Sequence, residues 1–374
     1  MMAWLRRFDW IMFGAVSALL VLSFLFIYSA GYRTADQALS GMVIRQIVWA
    51  LIGLGCYSAV SAFDYRRIDR LHWWIYGGTL LMLTLVLFVG TSVYGAHRWF
   101  SIGGIMVQPS EFGKLAVIFT LAARLGDPTS DADEMPTFIK AFALAGLPFL
   151  LIAAEPDLGT AMVLLPVLIV LLFCAGCPLK PLLILFGVGG AMLLVLIIWL
   201  RFFPDSCPFL TDYQKNRILV YLNVSQDPLG AGWNKLQSQI AVGSGGLMGK
   251  GYLKGTQNIL GFLPRTVAPT DFIYSVVAEE TGFAGSMLLL ALYTTVVMRC
   301  MVAAVRARDS FGRLLAAGIG VLIFSHVFVN IAMTVGLMPI TGLPLPLMSY
   351  GGSFMVSTMT ALGLVQSVYL RRRI

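Results

Sequence analysis

Long apolar runs separated by short polar segments dominate this chain. A helix that crosses a bilayer needs roughly 20 mainly apolar residues, and runs of about that length recur from one end of the chain to the other. We predict ten spans, at 11–31, 42–62, 73–89, 110–125, 138–154, 158–175, 182–203, 272–298, 313–336 and 350–370. The pattern therefore predicts an all-α polytopic integral membrane protein, with one membrane domain over residues 1–374.

The segment 204–270 is too long to be a turn between two spans. Within it, residues 212–222 alternate basic and apolar side chains at roughly helical spacing, which is typical of an amphipathic helix on a membrane surface. The apolar and aromatic content of the whole segment argues against disorder. We therefore predict one large, structured extracytoplasmic loop.

Composition and charge support a membrane protein and give its orientation. Of the 374 residues, 58% are apolar and 12% are charged, and the mean hydropathy is +0.84, well outside the range of soluble domains. The positive charges concentrate in alternate loops, at Arg66, Arg67, Arg70, Arg299, Arg306, Arg308, Arg371, Arg372 and Arg373. The positive-inside rule then places both termini in the cytoplasm, so the net charge of +8 reflects topology and predicts no nucleic-acid partner.

The boundary of the eighth span carries one conspicuous acid. Thr270 is a favourable N-cap residue, so we expect Asp271 in the first turn of the helix, at the outer membrane surface. A carboxylate there has two readings. It can complement the helix dipole, or it can serve as a general base for a lipid-linked substrate.

Other ionisable residues also lie on the outer side of the predicted topology. Glu111 and Lys114 are three residues apart and share a helix face; at membrane depth such a pair marks either a functional site or an ion pair that braces two helices. Arg98 lies in the preceding loop. Glu155 and Asp157 occupy a short break between two spans, where packing alone does not explain their charge.

The ninth predicted span carries a polar stripe. His326, Asn330 and Thr334 recur every four residues, so they share one face of a membrane helix. Hydrogen bonding to neighbouring helices is the role we predict for them. The sequence shows no cluster of His and Cys with the spacing of a metal site, and its five cysteines are an odd number that predicts no disulfide framework.

Two segments rich in glycine or proline could contact phosphate or sugar groups. Residues 242–251 resemble a nucleotide-binding loop, but Ser244 and Gly251 stand where that motif needs Gly and Ser or Thr. The remaining alternatives are backbone amides and Lys250 that approach a phosphate or sugar, and a plain turn. Residues 337–353 enter the last span with amides near Ser349 that we expect to be free for a diphosphate or a sugar hydroxyl.

Several motifs together carry a family resemblance. They read GAHRWF with QPSEFGK, EPDLGTA, DPLGAGWNKLQSQIAVGSGGLMGKG, LPRTVAPTDFIYSVVAEETGF and TVGLMPITGLPLPLMSYGGS. Over nearly its whole length the chain resembles the SEDS family (shape, elongation, division and sporulation) of bacterial peptidoglycan glycosyltransferases. DPLGAGWN and KGTQ are more similar to its RodA elongation branch than to its FtsW division branch. The family usually has a His just before Thr-Asp-Phe, where this chain has Val267-Ala-Pro269.

The resemblance implies a reaction and a set of site residues. The reaction is the inverting polymerisation of lipid II, an undecaprenyl-diphosphate-linked disaccharide-pentapeptide, into glycan strands, with Asp271 as the catalytic carboxylate. The implied substrate-binding residues are Glu111, Lys114, Arg98, Asp157, Arg217, Ser238, Gln239, Lys250 and Ser349. With Lys254, the basic members of this set are the outer cations available to a diphosphate leaving group.

The resemblance also implies a location and partners. These are the inner (cytoplasmic) membrane of a bacterium, with the active site on the extracytoplasmic side, a class B penicillin-binding protein that crosslinks the strand, and other membrane proteins of the elongation complex. The cofactor stays open, and a divalent cation such as Mg²⁺ or Mn²⁺ would suit a diphosphate. Two rival functions also stay open: a lipid II flippase or transporter, since polar stripes and broken helices also build transport paths, and a non-catalytic scaffold of the elongation machinery.

Overall fold

The computed structural model describes residues 7–32, 40–93, 96–128, 134–202, 212–222, 227, 230–264 and 266–372. Its helices are α1 (Trp10–Gly31), α2 (Ser40–Ala62), α3 (Arg66–Asp69), α4 (His72–Val89), α5 (Pro109–Leu125), α6 (Met135–Ala154), α7 (Leu158–Ala175), α8 (Leu179–Phe202), α9 (Asp212–Leu222), α10 (Ala231–Ser244), α11 (Thr256–Ile259), α12 (Ile273–Val305), α13 (Ser310–Thr334) and α14 (Gly352–Leu370). Three strands, β1 (Thr91–Val93), β2 (Ala96–Ile102) and β3 (Ile105–Val107), lie between α4 and α5.

The predicted polytopic helical architecture is confirmed. Within the described ranges, nine helices are long and apolar enough to cross a membrane, and they correspond to nine of the ten predicted spans. The remaining predicted span is α5, which has 17 residues and is buried on nearly every side. It packs against α4, α6, α7, α13 and α14. Because protein surrounds it, α5 tolerates the charged residues Glu111, Lys114 and Arg124, which a helix facing lipid would not.

The bundle core is formed by α5, α13 and α14, and it is polar at several points. Helix α14 is the most deeply buried of the nine candidate spans in the described part of the chain and also one of the least apolar. It packs along α2, where the Tyr57 hydroxyl donates a hydrogen bond of 3.1 Å to Gln366 Oε1. Such contacts satisfy polar side chains away from water, which is what a buried membrane helix requires.

A small antiparallel sheet was not predicted. Its order is β1-β2-β3, and β2 and β3 are joined by a two-residue turn at Gly103 and Gly104, whose φ angles are 60° and 82°. Two successive positive φ angles define the type I′ turn that closes tight hairpins. Strands of three to seven residues are too short for an alternating pattern to stand out, so the prediction of a purely helical protein was incomplete.

The segment 204–270 carries three helices, α9, α10 and α11. The predicted amphipathic helix over 212–222 is confirmed as a helix with the same bounds. Helix α10 packs on α12 and α13, so this part of the loop is joined to the bundle. Residues 203–211, 223–226, 228–229 and 265 lie outside the described residues.

Helix α12 was predicted as one continuous span, but it is interrupted at Gly282, whose φ is 66° and ψ is −158°. The segment 245–251 supplies hydrogen-bond partners for the main chain on both sides of the break. The amides of Lys250 and Gly251 each donate a 3.0 Å hydrogen bond to the carbonyls of Glu279 and Glu280. In return, the carbonyls of Gly246 and Leu247 accept from the first two amides after the break. Non-helical backbone at membrane depth needs such internal partners.

Glycine is required where the two segments meet. A Cβ on Gly249 would lie 2.1 Å from the Glu280 carbonyl oxygen, and one on Gly282 would lie 2.3 Å from the Gly249 nitrogen. The expectation that the amides near Lys250 contact a phosphate or sugar was therefore wrong for Lys250 and Gly251, because α12 already uses those amides.

The expected start of α12 was also wrong. The helix begins at Ile273, its N-cap residue is Phe272, and no side chain caps it. The Thr270 hydroxyl instead donates backwards to the carbonyls of Thr266 and Val267, because residues 266–272 form a series of turns. Asp271 therefore lies in the turn before the helix and not in its first turn.

Candidate active site

The main chain around Asp271 is fixed by two other parts of the bundle. Asn330 of α13 donates hydrogen bonds of 2.9 Å to the Asp271 carbonyl and 2.7 Å to the Leu343 carbonyl. From the loop before α14, the Ser349 hydroxyl donates to the Thr270 carbonyl. The acid is thus held against the loop 335–351, which we call the α13–α14 loop.

The backbone amides near Ser349 were predicted to be free for a ligand, but they bond within the protein. The amides of Ser349 and Tyr350 donate to the carbonyls of Leu345 and Pro269 at 2.9 and 2.8 Å, and the Gly351 amide donates to Gln46 Oε1 at 3.4 Å. The expectation of free amides near Ser349 is therefore wrong for residues 349–351. Proline-rich backbone at membrane depth must satisfy its amides within the protein. Here the Tyr350 amide does so by bonding to Pro269, in the turn that carries Asp271.

Arg217 approaches Asp271 across the same loop. Its Nη1 donates a 2.5 Å hydrogen bond to the Thr341 carbonyl. The next residue, Gly342, has a φ of 74°, and a Cβ built on it would lie 3.3 Å from Arg217 Nη2 and 3.4 Å from Asp271 Oδ2. The guanidinium of Arg217 and the carboxylate of Asp271 therefore both lie beside the Gly342 backbone. Both side chains are partly exposed.

We expect Gly342→Ala to lower turnover by disturbing this pair. An alanine at positive φ costs about 1–2 kcal/mol, and its methyl group would also press on both functional groups. Gly104→Ala is a matched control, because Gly104 has a φ of 82° and nothing lies within 4 Å of its Cβ position. Product formation and thermal stability should be measured for both variants. If the Gly342→Ala and Gly104→Ala variants had equal turnover, the lack of a side chain at position 342 would not matter for activity.

The turn between α6 and α7 forms the next wall of the site. Asp157 caps α7, since its Oδ1 accepts from the Thr160 amide at 3.2 Å, and its Oδ2 accepts from Gln108 Nε2 at 3.1 Å. Arg98 reaches this turn from β2 and donates to the carbonyls of Glu155 and Pro156 at 2.7 and 2.5 Å. Asp157 and Arg98 are therefore near Asp271 but are engaged in holding the turn.

The surroundings of Asp271 favour a proton acceptor. Its pKa is raised by burial, the largest influence; Arg217 lowers it, and the negative charge of Asp157 raises it further. A carboxylate with a raised pKa is a stronger base than an exposed aspartate, and catalytic carboxylates are tuned in this way. The nearby guanidinium of Arg217 favours the ionised form, which a base requires.

Glu155 is fully buried, and neither of its carboxylate oxygens has a hydrogen-bond partner. Burial, with a smaller contribution from Asp157, raises the pKa of Glu155 from 4.5 to about 8. Between these two values the folded protein holds a proton that the unfolded chain has lost. Stability must therefore fall as the pH rises through that window.

Glu155→Gln should remove this dependence, because glutamine imitates the protonated acid. We expect the variant and the parent to have similar thermal midpoints near pH 5. Above pH 8 the variant should be the more stable, since its buried side chain never has to ionise. Thermal unfolding curves from pH 5 to pH 9 test this, and midpoints that run parallel over the whole range would contradict it.

Glu111 and Lys114 form the predicted ion pair, which lies deeper in the bundle. Lys114 Nζ is 2.9 Å from both carboxylate oxygens of Glu111 and 2.9 Å from His326 Nε2, and it lies 5.4 Å from the centroid of the Phe354 ring. His326 Nδ1 faces the Pro344 carbonyl at 3.3 Å. The pair is therefore connected through His326 to the α13–α14 loop, beside a cavity of about 20 Å³, enough for one water.

The structure does not place the other predicted substrate-binding residues around Asp271. Ser238 Oγ is 2.6 Å from Ser275 Oγ and donates to the Thr334 carbonyl at 2.8 Å, and Gln239 donates to the Val335 carbonyl. These two attach α10 to α12 and α13. Lys250 Nζ pairs with Glu279 at 2.6 Å. Their predicted contacts with substrate stay predictions, because the contacts seen are within the protein.

The polar stripe on α13 was correctly predicted to hydrogen-bond to other elements at His326 and Asn330. The prediction was wrong for the Thr334 hydroxyl, which donates to the Ile331 carbonyl of its own helix. What sequence reasoning missed is the target of the stripe: Asn330 holds the Asp271 carbonyl, and His326 joins Lys114 to the Pro344 loop. Within the described part of the chain, no group of three or more His, Cys, Asp or Glu side chains could hold a metal ion. A divalent cation stays a prediction.

Comparisons with known proteins give a consistent result. The sequence model of the FtsW, RodA and SpoVE cell cycle proteins matches residues 9–374. The peptidoglycan glycosyltransferase RodA of Treponema pallidum is 34% identical over 430 residues, with 98% of each chain covered. The peptidoglycan glycosyltransferase MrdB of Escherichia coli K12 is 38% identical over 360 residues, covering 95% of this chain and 92% of that protein.

Solved structures agree with the sequence comparisons. A chain from a peptidoglycan synthase complex, studied for how polymerization and crosslinking are coordinated, has a TM-score of 0.74 at 32% identity, with 97% of each chain covered. The rod shape determining protein RodA of Thermus thermophilus has a TM-score of 0.70 at 29% identity, covering 98% of this chain and 97% of that one. The resemblance read from the sequence motifs is confirmed.

Proposed function

Because this chain belongs to the family of FtsW, RodA and SpoVE cell cycle proteins, we propose that it is a peptidoglycan glycosyltransferase that polymerises lipid II during cell-wall elongation. The proposal is supported by relatives named peptidoglycan glycosyltransferases over nearly the full chain. The observation that carries its chemistry is that Asp271 and Arg217 both approach Gly342 of the α13–α14 loop. The reaction removes a proton, which a carboxylate can accept, and releases a diphosphate, whose charge a neighbouring cation can stabilise.

In the proposed reaction, the 4-hydroxyl of a GlcNAc in one lipid II attacks C1 of the MurNAc in another. The bond from C1 to the diphosphate oxygen breaks, the anomeric centre inverts, and the lipid diphosphate leaves with the bonding electrons. Asp271 accepts the hydroxyl proton. One carboxylate suffices, because a diphosphate leaves without the protonation that an ordinary glycoside needs.

The charged residues around the turn serve the leaving group and the geometry. Arg217 presents a partly exposed guanidinium beside Asp271, so it is the cation best placed to stabilise the developing diphosphate charge. Arg98 and Asp157 are positioning residues, because their hydrogen bonds hold the turn at 155–157. Lys114 is a positioning residue in this proposal, because it contacts His326, which faces the α13–α14 loop.

The proposed location is the bacterial inner membrane, with Asp271 on the extracytoplasmic side. The alternation of Arg and Lys clusters along the sequence supports this orientation. A substrate activated in the membrane is needed there, because cytosolic nucleotides are absent from that side. A class B penicillin-binding protein is the proposed partner, which is supported by the likeness to a chain from a peptidoglycan synthase complex.

Purified protein given lipid II in vesicles tests the proposal against its rivals. A glycosyltransferase makes glycan strands, a flippase moves lipid II across the bilayer without making polymer, and a scaffold does neither. Parallel reactions with a chelator and with a cognate transpeptidase would show whether a divalent cation or the partner is needed. Failure to form polymer with the transpeptidase and a divalent cation both present would overturn the assignment.

A further inference from the structure

A second buried polar cluster lies inside the bundle, and the proposed reaction does not use it. It consists of Ser29 on α1, Gln257 and Asn258 on α11, and Glu279 and Glu280 on α12; we call it the Glu280 cluster. Both glutamates are only 1% exposed. They stand immediately before the break of α12 at Gly282. Two adjacent buried carboxylates at membrane depth need compensation for their charge.

Glu279 is fully compensated. Its Oε1 accepts hydrogen bonds from Lys250 Nζ at 2.6 Å, Thr256 Oγ1 at 3.1 Å and the Gln257 amide at 3.0 Å. The lysine supplies one positive charge to the one negative charge of this carboxylate. The pair is therefore neutral, and it leaves nothing to balance the glutamate beside it.

Glu280 accepts hydrogen bonds, and its described surroundings contain no cation paired with it. Its Oε1 accepts a short hydrogen bond from the Ser29 hydroxyl, and the amides of Leu253 and Gly255 also face the carboxylate. Burial opposes ionisation of this acid, and these donors favour its ionised form. Over the ranges that the structure covers, no lysine or arginine forms a salt bridge with Glu280.

Three buried oxygen atoms of the Glu280 cluster have no hydrogen-bond partner. They are Glu280 Oε2, Asn258 Oδ1 and Gln257 Oε1. Asn258 and Glu280 both hydrogen-bond to Ser29. The Asn258 side-chain amide donates to the Ser29 carbonyl, and the Ser29 hydroxyl donates to Glu280. When Glu280 is ionised, all three orphan atoms are acceptors and cannot satisfy one another. Unpaired buried oxygens are rare and costly, and a cation that reached all three would satisfy them together.

We propose that the Glu280 cluster binds a monovalent cation of the Na⁺ class. One carboxylate and two amide oxygens are hard oxygen ligands, which suit alkali and alkaline-earth ions rather than zinc or copper. The charge decides between these two groups: with Glu280 ionised and no ion bound, the described residues of the cluster carry one uncompensated negative charge, which Na⁺ cancels. A divalent ion would leave a net positive charge in the bundle. Broken membrane helices also bind Na⁺ in other folds, where unwound backbone carbonyls coordinate the ion.

The bound ion would join three elements that otherwise meet through few polar contacts. Glu280 is on α12, Asn258 is on α11, and the Ser29 contacts come from the end of α1. Binding would therefore stabilise the break of α12 against α1. This inference does not depend on the proposed glycosyltransferase activity, and its test does not measure that activity.

The test is the thermal stability of the purified full-length protein in detergent, titrated with NaCl while choline chloride keeps the ionic strength constant. A ligand that binds only the folded state raises the midpoint with the logarithm of its concentration, by about 3 °C at a hundred times its Kd for a chain of this size. Equilibrium binding of ²²Na⁺ should give about one ion per chain. A midpoint that does not respond to Na⁺, in the absence of ²²Na⁺ binding, would overturn the proposal.

Variants then assign the ion to the cluster. Glu280→Gln and Asn258→Ala should each abolish the Na⁺-dependent shift and lower ²²Na⁺ binding at least tenfold. Glu134→Gln, which changes an exposed glutamate, should leave both unchanged. A shift retained in the first two variants, a shift produced by Mg²⁺ but not by Na⁺, or a midpoint that follows pH and ignores Na⁺ would each contradict the assignment.

Discussion

Asp271→Asn should lower the polymerisation of lipid II by about 10²–10⁴-fold, the usual contribution of a positioned general base. Asparagine keeps the size of the side chain and cannot accept the hydroxyl proton. The main chain at this position should not move, because Asn330 holds its carbonyl and Ser349 holds the one before it. The measurement is glycan product from purified lipid II, with the thermal midpoint recorded for the same sample.

Two further variants separate chemistry from folding. Glu134→Gln changes an exposed carboxylate on another part of the surface and should keep full activity. Arg217→Gln removes the charge beside Asp271 and should lower turnover with less effect on stability than the loss of a buried cation, because Arg217 is partly exposed. Full activity of a folded Asp271→Asn protein would remove this acid from the mechanism.

The turnover of the parent protein should also rise with pH through the pKa of Asp271. Burial raises that pKa, so on acidification the base should be lost at a higher pH than an exposed aspartate would be. Between pH 4.5 and about 8 the fold also loses stability as the pH rises, because folded Glu155 keeps a proton that the unfolded chain has released. Comparing the Glu155→Gln variant with the parent separates these two effects, because glutamine at 155 removes only the second.

Features determined by local pattern were predicted well from the sequence. The bounds of α9 follow from its alternation of basic and apolar residues. The pairing of Glu111 with Lys114 follows from their spacing of three on one helix. The stripe of His326 and Asn330 follows from the four-residue repeat. In each case the residues that interact, or the face that carries them, are fixed by helix geometry alone.

Features determined by tertiary contacts could not be read in the same way. Nothing near Arg217 in the sequence indicates that it meets Asp271 at Gly342, because α9 reaches that loop only in the folded bundle. The glycine-rich segment 242–251 showed many small residues but gave no sign of their partner, which is the main chain of α12 at Gly249 and Gly282. Ligand-binding loops and packing loops use glycine for the same reason, close approach of backbone.

Lys114→Met should be the most destabilising of the substitutions considered. It leaves the Glu111 carboxylate buried without its cation, and breaking a buried pair in this way costs about 3–5 kcal/mol. Lys114 and Glu111 are only 1% and 3% exposed, so water cannot replace the lost partner. Thermal unfolding measures the loss, and Lys140→Met, which changes an exposed lysine, is the control.

The double variant Glu111→Gln with Lys114→Met distinguishes bracing from positioning. Removing both charges leaves no unpaired ion, and we expect most of the stability to return. Turnover should stay low, because methionine cannot hydrogen-bond to His326, whose other nitrogen faces the Pro344 carbonyl of the loop beside Asp271. The defect should appear in kcat more than in KM if Lys114 acts by positioning, since its described contacts are with Glu111, His326 and Phe354. If stability and turnover recover together, the pair only braces the helices.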